Sequence, residues 1–478
     1  MAAIHWQAQT VQFKKINMKK ALLAALCGFV LAGSSCEKSD DQPDPGTTPA
    51  PPAGSTVDVR GVIRTNTTWS KSLTYRLRGY VYVTDGATLT IEPGTRIASN
   101  KDSAGVLVIY RDAKIAADGT ADNPIVFTSN ESSPQPGDLG GVVLVGQATG
   151  NGNHSVIEGG VDPAYSAFGG TNDAHNSGTL RYVRIEYAGK AVNPGDEVNG
   201  LSLYGVGSGT TIDYVQIVRG LDDAFEFFGG TVNCKHLIAY NCADDDFDMD
   251  DGYRGKIQYA ISVKDPKFTD NKGTTGDISN NFEVDNINPS NGFLFTRAPV
   301  TSPVLSNFTA VGPNNAAGTS TDYGYGMRWR RGARFILANS IVLGGQRAGL
   351  DLDDDSTASY YKQGISRFYN SMLHAYQKPF NLDRLVATPK PLDSATLASI
   401  TTAANASMVY TNATDIKLTD PFNNTAPNLK PATGSPALTT AGKFDASGLS
   451  DAFFDKTNFV GALDATSDWT AKWVVWNK

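Results

Sequence analysis

A short strand pattern recurs along this chain every 22 to 26 residues, and no other feature restricts its fold as strongly. VYVTDGATLTIEPGT (81–95) returns as LVIYRDAKIAADGT (107–120), with Val83, Ala87, Leu89 and Ile91 matching Ile109, Ala113, Ile115 and Ala117. LRYVRIEYAG (180–189), IDYVQIVRGL (212–221), CKHLIAYNCA (234–243) and IQYAISVKDP (257–266) form a second set of alternating strands. A third set comprises NGLSLYG (199–205), DAFEFFG (223–229), DDFDMDD (245–251), NNFEVDN (280–286), YGMRWRR (325–331) and AGLDLDD (348–354). The polar residue inside its apolar-polar-apolar core is Ser202, Glu226, Asp248, Glu283, Arg328 and Asp351, at spacings of 24, 22, 35, 45 and 23.

A unit of that length, built from short strands and turns, cannot bury its apolar face alone, whereas stacking one unit on the next does. The period predicts an all-β fold, a right-handed parallel β-helix (solenoid) with irregular N-terminal and C-terminal caps. The Leu/Asn register of a leucine-rich repeat is absent, and a propeller needs longer units. Composition agrees: Gly outnumbers Met 48 to 6, and aromatics are 10%. The expected solenoid runs over 58–384, with 58–80 as entry cap. Residues 385–478 supply C-terminal coils and a cap, including a short helix at Ala395–Ala404 with Ser394 as N-cap. Trp469, Trp473 and Trp476 are expected to cover the last coil.

CADDDFDMDDGYRG (242–255) places six aspartates in eight consecutive positions. Adjacent coils of a β-helix lie about 4.8 Å apart. Aligning DDAFEFFGG (222–230) on DDDFDMDDG (244–252) therefore sets Asp223 beside Asp245 and Glu226 beside Asp248. Phe225, Phe247, Phe227 and Met249 then point inward, while Glu226, Asp248 and Asp250 form an acidic ladder on one outer face. Two carboxylates about 5 Å apart repel by roughly 1 kcal/mol in water and roughly 3 kcal/mol at an effective dielectric near 20. A groove holding four or more acids favours a bound cation or raised pKa values. Oxygen ligands with no neighbouring His or Cys select calcium over zinc. An EF-hand is excluded, because counting from Asp246 puts Asp251 at its glycine position and Ile257 at its glutamate position. The plain alternative is an Asp-rich turn bonded to its own amides.

The pair DAFEFFGG…AYNCADDDFDM resembles the calcium-site region of pectate lyases of polysaccharide lyase family nine, over about fifty residues. The resemblance implies Asp223, Asp244, Asp245 and Asp248 as calcium ligands, with Asp246 standing where the family has glycine. In those lyases calcium neutralises the uronate carboxylate and a lysine on a later coil takes the adjacent proton. Here the corresponding strand offers Glu283, which suits a further ligand, with Glu226, better than a base beside anionic groups. Arg328, on the next matched strand, and Arg254, near the acidic coil, are candidate contacts for an acidic glycan. Lys256 and Lys264 carry no diagnostic spacing. Asp222/Asp223 with Asp244/Asp245 resemble the paired acids of β-helical polygalacturonases, whose Gly-His-Gly is missing. His154 and His175 are expected as loop residues, and His236 as a packed or surface ring at the position of Tyr214 and Tyr259. The chain has no nucleophile elbow, phosphate loop or His-Glu-x-x-His, and no pattern that settles whether it is an enzyme.

MKKALLAALCGFVLAGSSCEKSDD (18–41) has the layout of a secretory signal, with small residues before Cys36 resembling a lipobox. The expectation is an upstream misannotated start over 1–17, a lipoprotein signal peptide over 18–35, and lipidated Cys36 with a disordered tether over 36–57. The acidic residues after Cys36 resemble the surface-export signal of Bacteroidetes lipoproteins. LTIEPGT (89–95), NSGTLRYVRIEYAG (176–189) and FFDKTNFVGA…DWTAKW (453–473) resemble secreted β-helix lipoproteins of Bacteroidetes type. The resemblance implies a surface-exposed outer-membrane lipoprotein touching the membrane only through its lipid anchor. Cys27 would leave with the signal. Cys234 and Cys242 are open to a disulfide or a buried thiol pair. A net charge of −7 excludes the basic stripe that nucleic acid requires. The expected function is binding of a polysaccharide or an envelope protein through a calcium-stabilised acidic face. The alternative is a calcium-dependent polysaccharide lyase or glycoside hydrolase acting on acidic glycans, and a third reading is a structural adhesin.

Overall fold

Successive coils are built from short strands joined by turns, and the strands of the solenoid pair in parallel with their counterparts one coil away. The computed structural model describes residues 52–193, 196–269 and 278–478. Cys27, Cys36, the expected signal peptide and the expected tether through residue 51 lie outside the described residues. The first strand, Thr56–Ile63, pairs with Thr74–Val83, so the solenoid starts at Thr56, takes the last two residues of the segment expected as tether, and includes the segment expected as entry cap. Among the described residues, twenty-six strands join one continuous sheet that winds into a right-handed parallel β-helix.

The register matches the one expected from the repeats. Val83 lies beside Ile109, Leu89 beside Ile115 and Ile91 beside Ala117. Leu180, Ile212, Cys234, Ile257, Leu305 and Leu337 stack in one inward row. Inside, Phe225, Phe247 and Phe282 stack at 5.4 and 5.5 Å between ring centroids. Both Cys234 and Cys242 are buried free thiols.

Strands such as Thr211–Val218 and Asn233–Tyr240 serve two faces of the coil, because one residue in each adopts a left-handed φ and bends it. These residues stack in register: Tyr182, Tyr214, His236, Tyr259, Asn307, Asn339 and Asn370, all with φ between 47° and 63°. Asparagine tolerates that region, and Asn370 Nδ2 donates to Asn339 Oδ1 at 2.9 Å. The rings form an outward ladder, with Tyr182–Tyr214, Tyr214–His236 and His236–Tyr259 stacked at 4.3, 4.1 and 5.0 Å. His236 is thus the packed ring that its position predicts.

The C-terminal tail seals this ladder, which corrects the expectation that its tryptophans cover the last coil. Trp473 packs edge-on against Tyr182 and Tyr214, each at 5.9 Å, and Trp469 against His236 at 5.0 Å. Trp476 sits on Tyr240 at 5.0 Å. The bent corner turns large aromatic faces outward halfway along the solenoid, and the tail's rings remove them from water. Trp473→Ala is expected to cost about 3–5 kcal/mol in denaturant unfolding, since the ring is fully buried. The predicted helix is present at Ser394–Ser399 and continues as a π turn over Ile400–Ala404, but Asp393 is its cap. The Asp393 carboxylate accepts the Thr396 amide at 2.7 Å and adds negative charge at the helix start.

Candidate functional site

The acidic ladder forms on the strands Leu201–Tyr204, Phe225–Phe228, Phe247–Asp250, Phe282–Asp285, Tyr325–Arg330 and Ala348–Leu352. Ser202, Glu226, Asp248, Glu283, Arg328 and Asp351 occupy consecutive rungs, as the spacings require. In the turns before the strands, Asp223 accepts the Asp245 amide at 2.8 Å, and Asp245 accepts the Asn280 amide. These bonds fix the aspartate turns one over the next.

The face is not open, as the alternation alone suggested. The segment 146–177, between the strands Gly141–Val145 and Gly178–Glu186, arches back over the ladder. It closes a cleft of about 180 Å³ lined by Glu158, Glu197, Asn199, Asp222, Asp223, Glu226, Asp244, Asp245, Asp248 and Glu283. The four aspartates implied as ligands, Asp223, Asp244, Asp245 and Asp248, all line it, as do Glu226 and Glu283. Carboxylate oxygens converge in three overlapping triads: Asp222/Asp223/Asp244, Asp223/Glu226/Asp248 and Asp245/Asp248/Glu283, each within 4.8 Å. Asp223 and Asp248 are each shared by two triads.

Partial enclosure limits the water that would screen these charges. Burial first, and then the neighbouring carboxylates, push Glu226 and Asp248 well above the usual carboxylate range. Burial raises Glu158 to about 7, against the opposing pull of His154. Asn199 donates to Glu226. One oxygen of Asp248 is shielded from solvent and has no hydrogen-bond partner.

Other expected residues lie elsewhere. Asp246 turns away from the cleft and pairs with Lys264 Nζ at 3.0 Å, both side chains fully buried. Lys264 also donates to the Asp244 carbonyl, so it braces the aspartate turn from beneath. Arg328 is 1% exposed and meets Glu283 and Asp353 at 3.1 Å each and Asp351 at 3.7 Å. It therefore neutralises the ladder instead of facing a glycan. Arg330 pairs with Glu283 as well, so this acid enters the cleft already compensated. Arg254 does not line the cleft and reaches Asp173 at 3.4 Å and the Gly252 carbonyl at 2.6 Å. Asp250 is drawn to His154, which is no ordinary loop residue: its Nδ1 lies 3.0 Å from Asp251. His175 is buried at the turn beside Ser177. Glu158, Glu197 and Asn199 were not anticipated: nothing periodic ties the 150–178 stretch holding Glu158 to the ladder, and Glu197 and Asn199 precede the apolar-polar-apolar triplet by which the strands align.

A parallel β-helix with an acidic lateral cleft defines a class of protein whose architecture is consistent with binding or acting on carbohydrate. The chain belongs to the family of the pectate-lyase-like β-helix domain, whose model matches residues 61–417. Neither the comparison with curated proteins nor that with solved structures gave a match.

Proposed function

We propose that the protein is a surface-exposed outer-membrane lipoprotein whose cleft holds calcium and, with it, binds a polysaccharide or an envelope protein. The observation that carries the reading is the set of overlapping carboxylate triads in a cleft whose lining, among the described residues, holds no Lys, Arg, His or Cys. This donor set fits a hard divalent cation. Asp223, Asp244, Asp245 and Asp248 would hold it, with Glu226 and Glu283 as further donors. When bound, calcium supplies positive charge able to take a carboxylate or hydroxyl oxygen of a ligand. Asp223 and Asp245 are oriented by backbone amides, and Lys264 keeps the Asp244 turn in place. The Cys36 anchor follows from the leader's layout, and among the described residues no helix is long and apolar enough to cross a membrane.

Saturating calcium is expected to stabilise the protein by about 3–4 kcal/mol when its concentration is 100–1,000 times Kd. Asp248→Asn should remove most of that gain, and binding to immobilised pectate, alginate or glycosaminoglycan should require the ion. Thermal melting with calcium or chelator, repeated on the variant, measures the first part. A melting temperature indifferent to both would remove calcium from the site.

A second reading, glycoside hydrolysis, is favoured by one observation: Glu158, raised to about 7, sits among acids as a proton carrier near neutrality. A lyase is less well served, since among the described residues no lysine or arginine lines the cleft. Incubation with the same glycans separates these readings: reducing ends without ultraviolet-absorbing unsaturated product indicate hydrolysis, and unsaturated product indicates a lyase. If Asp245→Ala abolishes either signal, enzymatic action replaces simple binding.

A further inference from the structure

Beside the cleft, on the same outer face, the arching segment brings a nitrogen ligand to two carboxylates. Asp250 and Asp251 are consecutive, and strand alternation would send their side chains to opposite faces. Asp251 instead has φ 58°, a left-handed conformation that a non-glycine residue seldom adopts. Its carboxylate joins that of Asp250 against His154, and one ligand atom from each of the three residues lies within 4.8 Å of the others. His154 Nδ1 is 3.0 and 3.1 Å from the two oxygens of Asp251. On the far side of the ring, Glu158 Oε1 lies 3.7 Å from Nε2, where a carboxylate orients a metal-bound imidazole.

We propose that His154, Asp250 and Asp251 form a second metal site, distinct from the all-oxygen cleft, that takes a borderline divalent cation of the zinc and cobalt class. One imidazole with two carboxylates is the mixed nitrogen and oxygen donor set that such ions prefer, whereas calcium favours oxygen alone. A simple His154–Asp251 ion pair accounts for less of the geometry. Oδ1 of Asp250 is shielded from solvent and has no hydrogen-bond partner. Asp251 is already oriented without the imidazole, by Asn153 Nδ2 at 2.8 Å and the His154 amide at 3.3 Å. Three protein donors leave a coordination position for water or a ligand oxygen. A metal here would also tie the arching segment to the ladder, because His154 belongs to the first and Asp250 and Asp251 to the second.

The test is a cobalt titration of the full chain held in saturating calcium, followed by visible d–d absorption. The expected result is a band that saturates at one equivalent and is displaced by zinc. His154→Gln and the isosteric Asp250→Asn should each weaken cobalt binding at least about tenfold, while Asp248→Asn keeps it. Imidazole NMR of the unaltered protein needs no variant, and zinc should shift the His154 ring signals. No cobalt band, a band insensitive to His154→Gln, or an imidazole that zinc leaves unmoved would each overturn the site and leave an ion pair. A protein that binds cobalt in this way but shows no calcium-dependent melting would keep this site and lose the calcium cleft.

Discussion

Replacing Arg328 by alanine is expected to destabilise the protein by about 3–5 kcal/mol at pH 8, although the side chain is on no ligand-facing surface. The guanidinium meets Glu283 and Asp353 at 3.1 Å each and Asp351 at 3.7 Å, in a region almost closed to water. Removing it leaves buried carboxylates that Arg330 and Arg384 compensate only at Glu283 and Asp353. Asp351 is the most exposed to the loss. Burial and the adjacent Asp353 already raise it to about 7, with Asn381 and Arg328 opposing. The deficit should therefore shrink at pH 5, where Asp351 takes up a proton. Arg328→Lys should rescue little, since one ammonium cannot span three carboxylates. Denaturant unfolding of both variants at the two pH values measures this. A loss of under about 1 kcal/mol for Arg328→Ala at pH 8 would mean that the ladder's charges are not buried as described.

The same rung shows what sequence could and could not reveal. The stack from Ser202 to Asp351 was legible because strand alternation and coil period are local properties that add up along the chain. The repeat places Arg328 on its correct rung, whereas its ion pairs with Glu283 and Asp353, in place of a glycan contact, emerge only in the structure. Its role depends on Asp353 and Arg330, which lie past the triplet and come close only when the strand ends fold. Asp246 lies in a run of six aspartates, and alternation cannot show which one leaves the outer face. Lys264, from the next coil, meets it in the interior. Glu158 and His154 had no periodic neighbour to align with. They reach the ladder through long-range bonds, such as Asn151 Nδ2 to the Asn286 carbonyl at 2.7 Å and Asn153 Nδ2 to Asp251 at 2.8 Å. The tryptophans of the tail were recognisable as a cover, but their target required knowing that Tyr182, Tyr214, His236 and Tyr259 sit at a left-handed bend that turns their rings outward.

In chelator, the protein is expected to grow more stable as pH falls from about 8 to about 5. Native Glu158 keeps its proton up to about 7 and Asp250 up to about 6, each raised chiefly by burial. Unfolded carboxyls release theirs near 4. Between these limits the native state binds more protons than the unfolded chain, so the free energy of unfolding falls as pH rises. Glu226 and Asp248, shifted further, extend the window upward. His154 acts in the same direction. Burial disfavours its imidazolium, but the bond to Asp251 and the charges of Asp250 and Glu158 prevail and raise it to about 9. Its stabilisation is complete below about 6.5 and disappears as pH climbs through 9. Glu158 alone, raised to about 7, corresponds to roughly 3 kcal/mol; the acids share one cleft, so their contributions do not simply add. Below about 4, carboxyls held under their usual range, such as Asp464 and Asp468, lose their hydrogen bonds and reverse the trend. Saturating calcium favours the ionised cleft and should flatten the slope between pH 5 and 7, while leaving the part due to His154. Asp248→Asn should flatten the chelator curve in the same interval, because it removes a carboxyl that takes up a proton on folding. Melting temperatures across the pH series, with calcium and with chelator, provide the measurement, and stability in chelator that climbs from pH 5 to 8 would show that the cleft's acids are ionised and solvated.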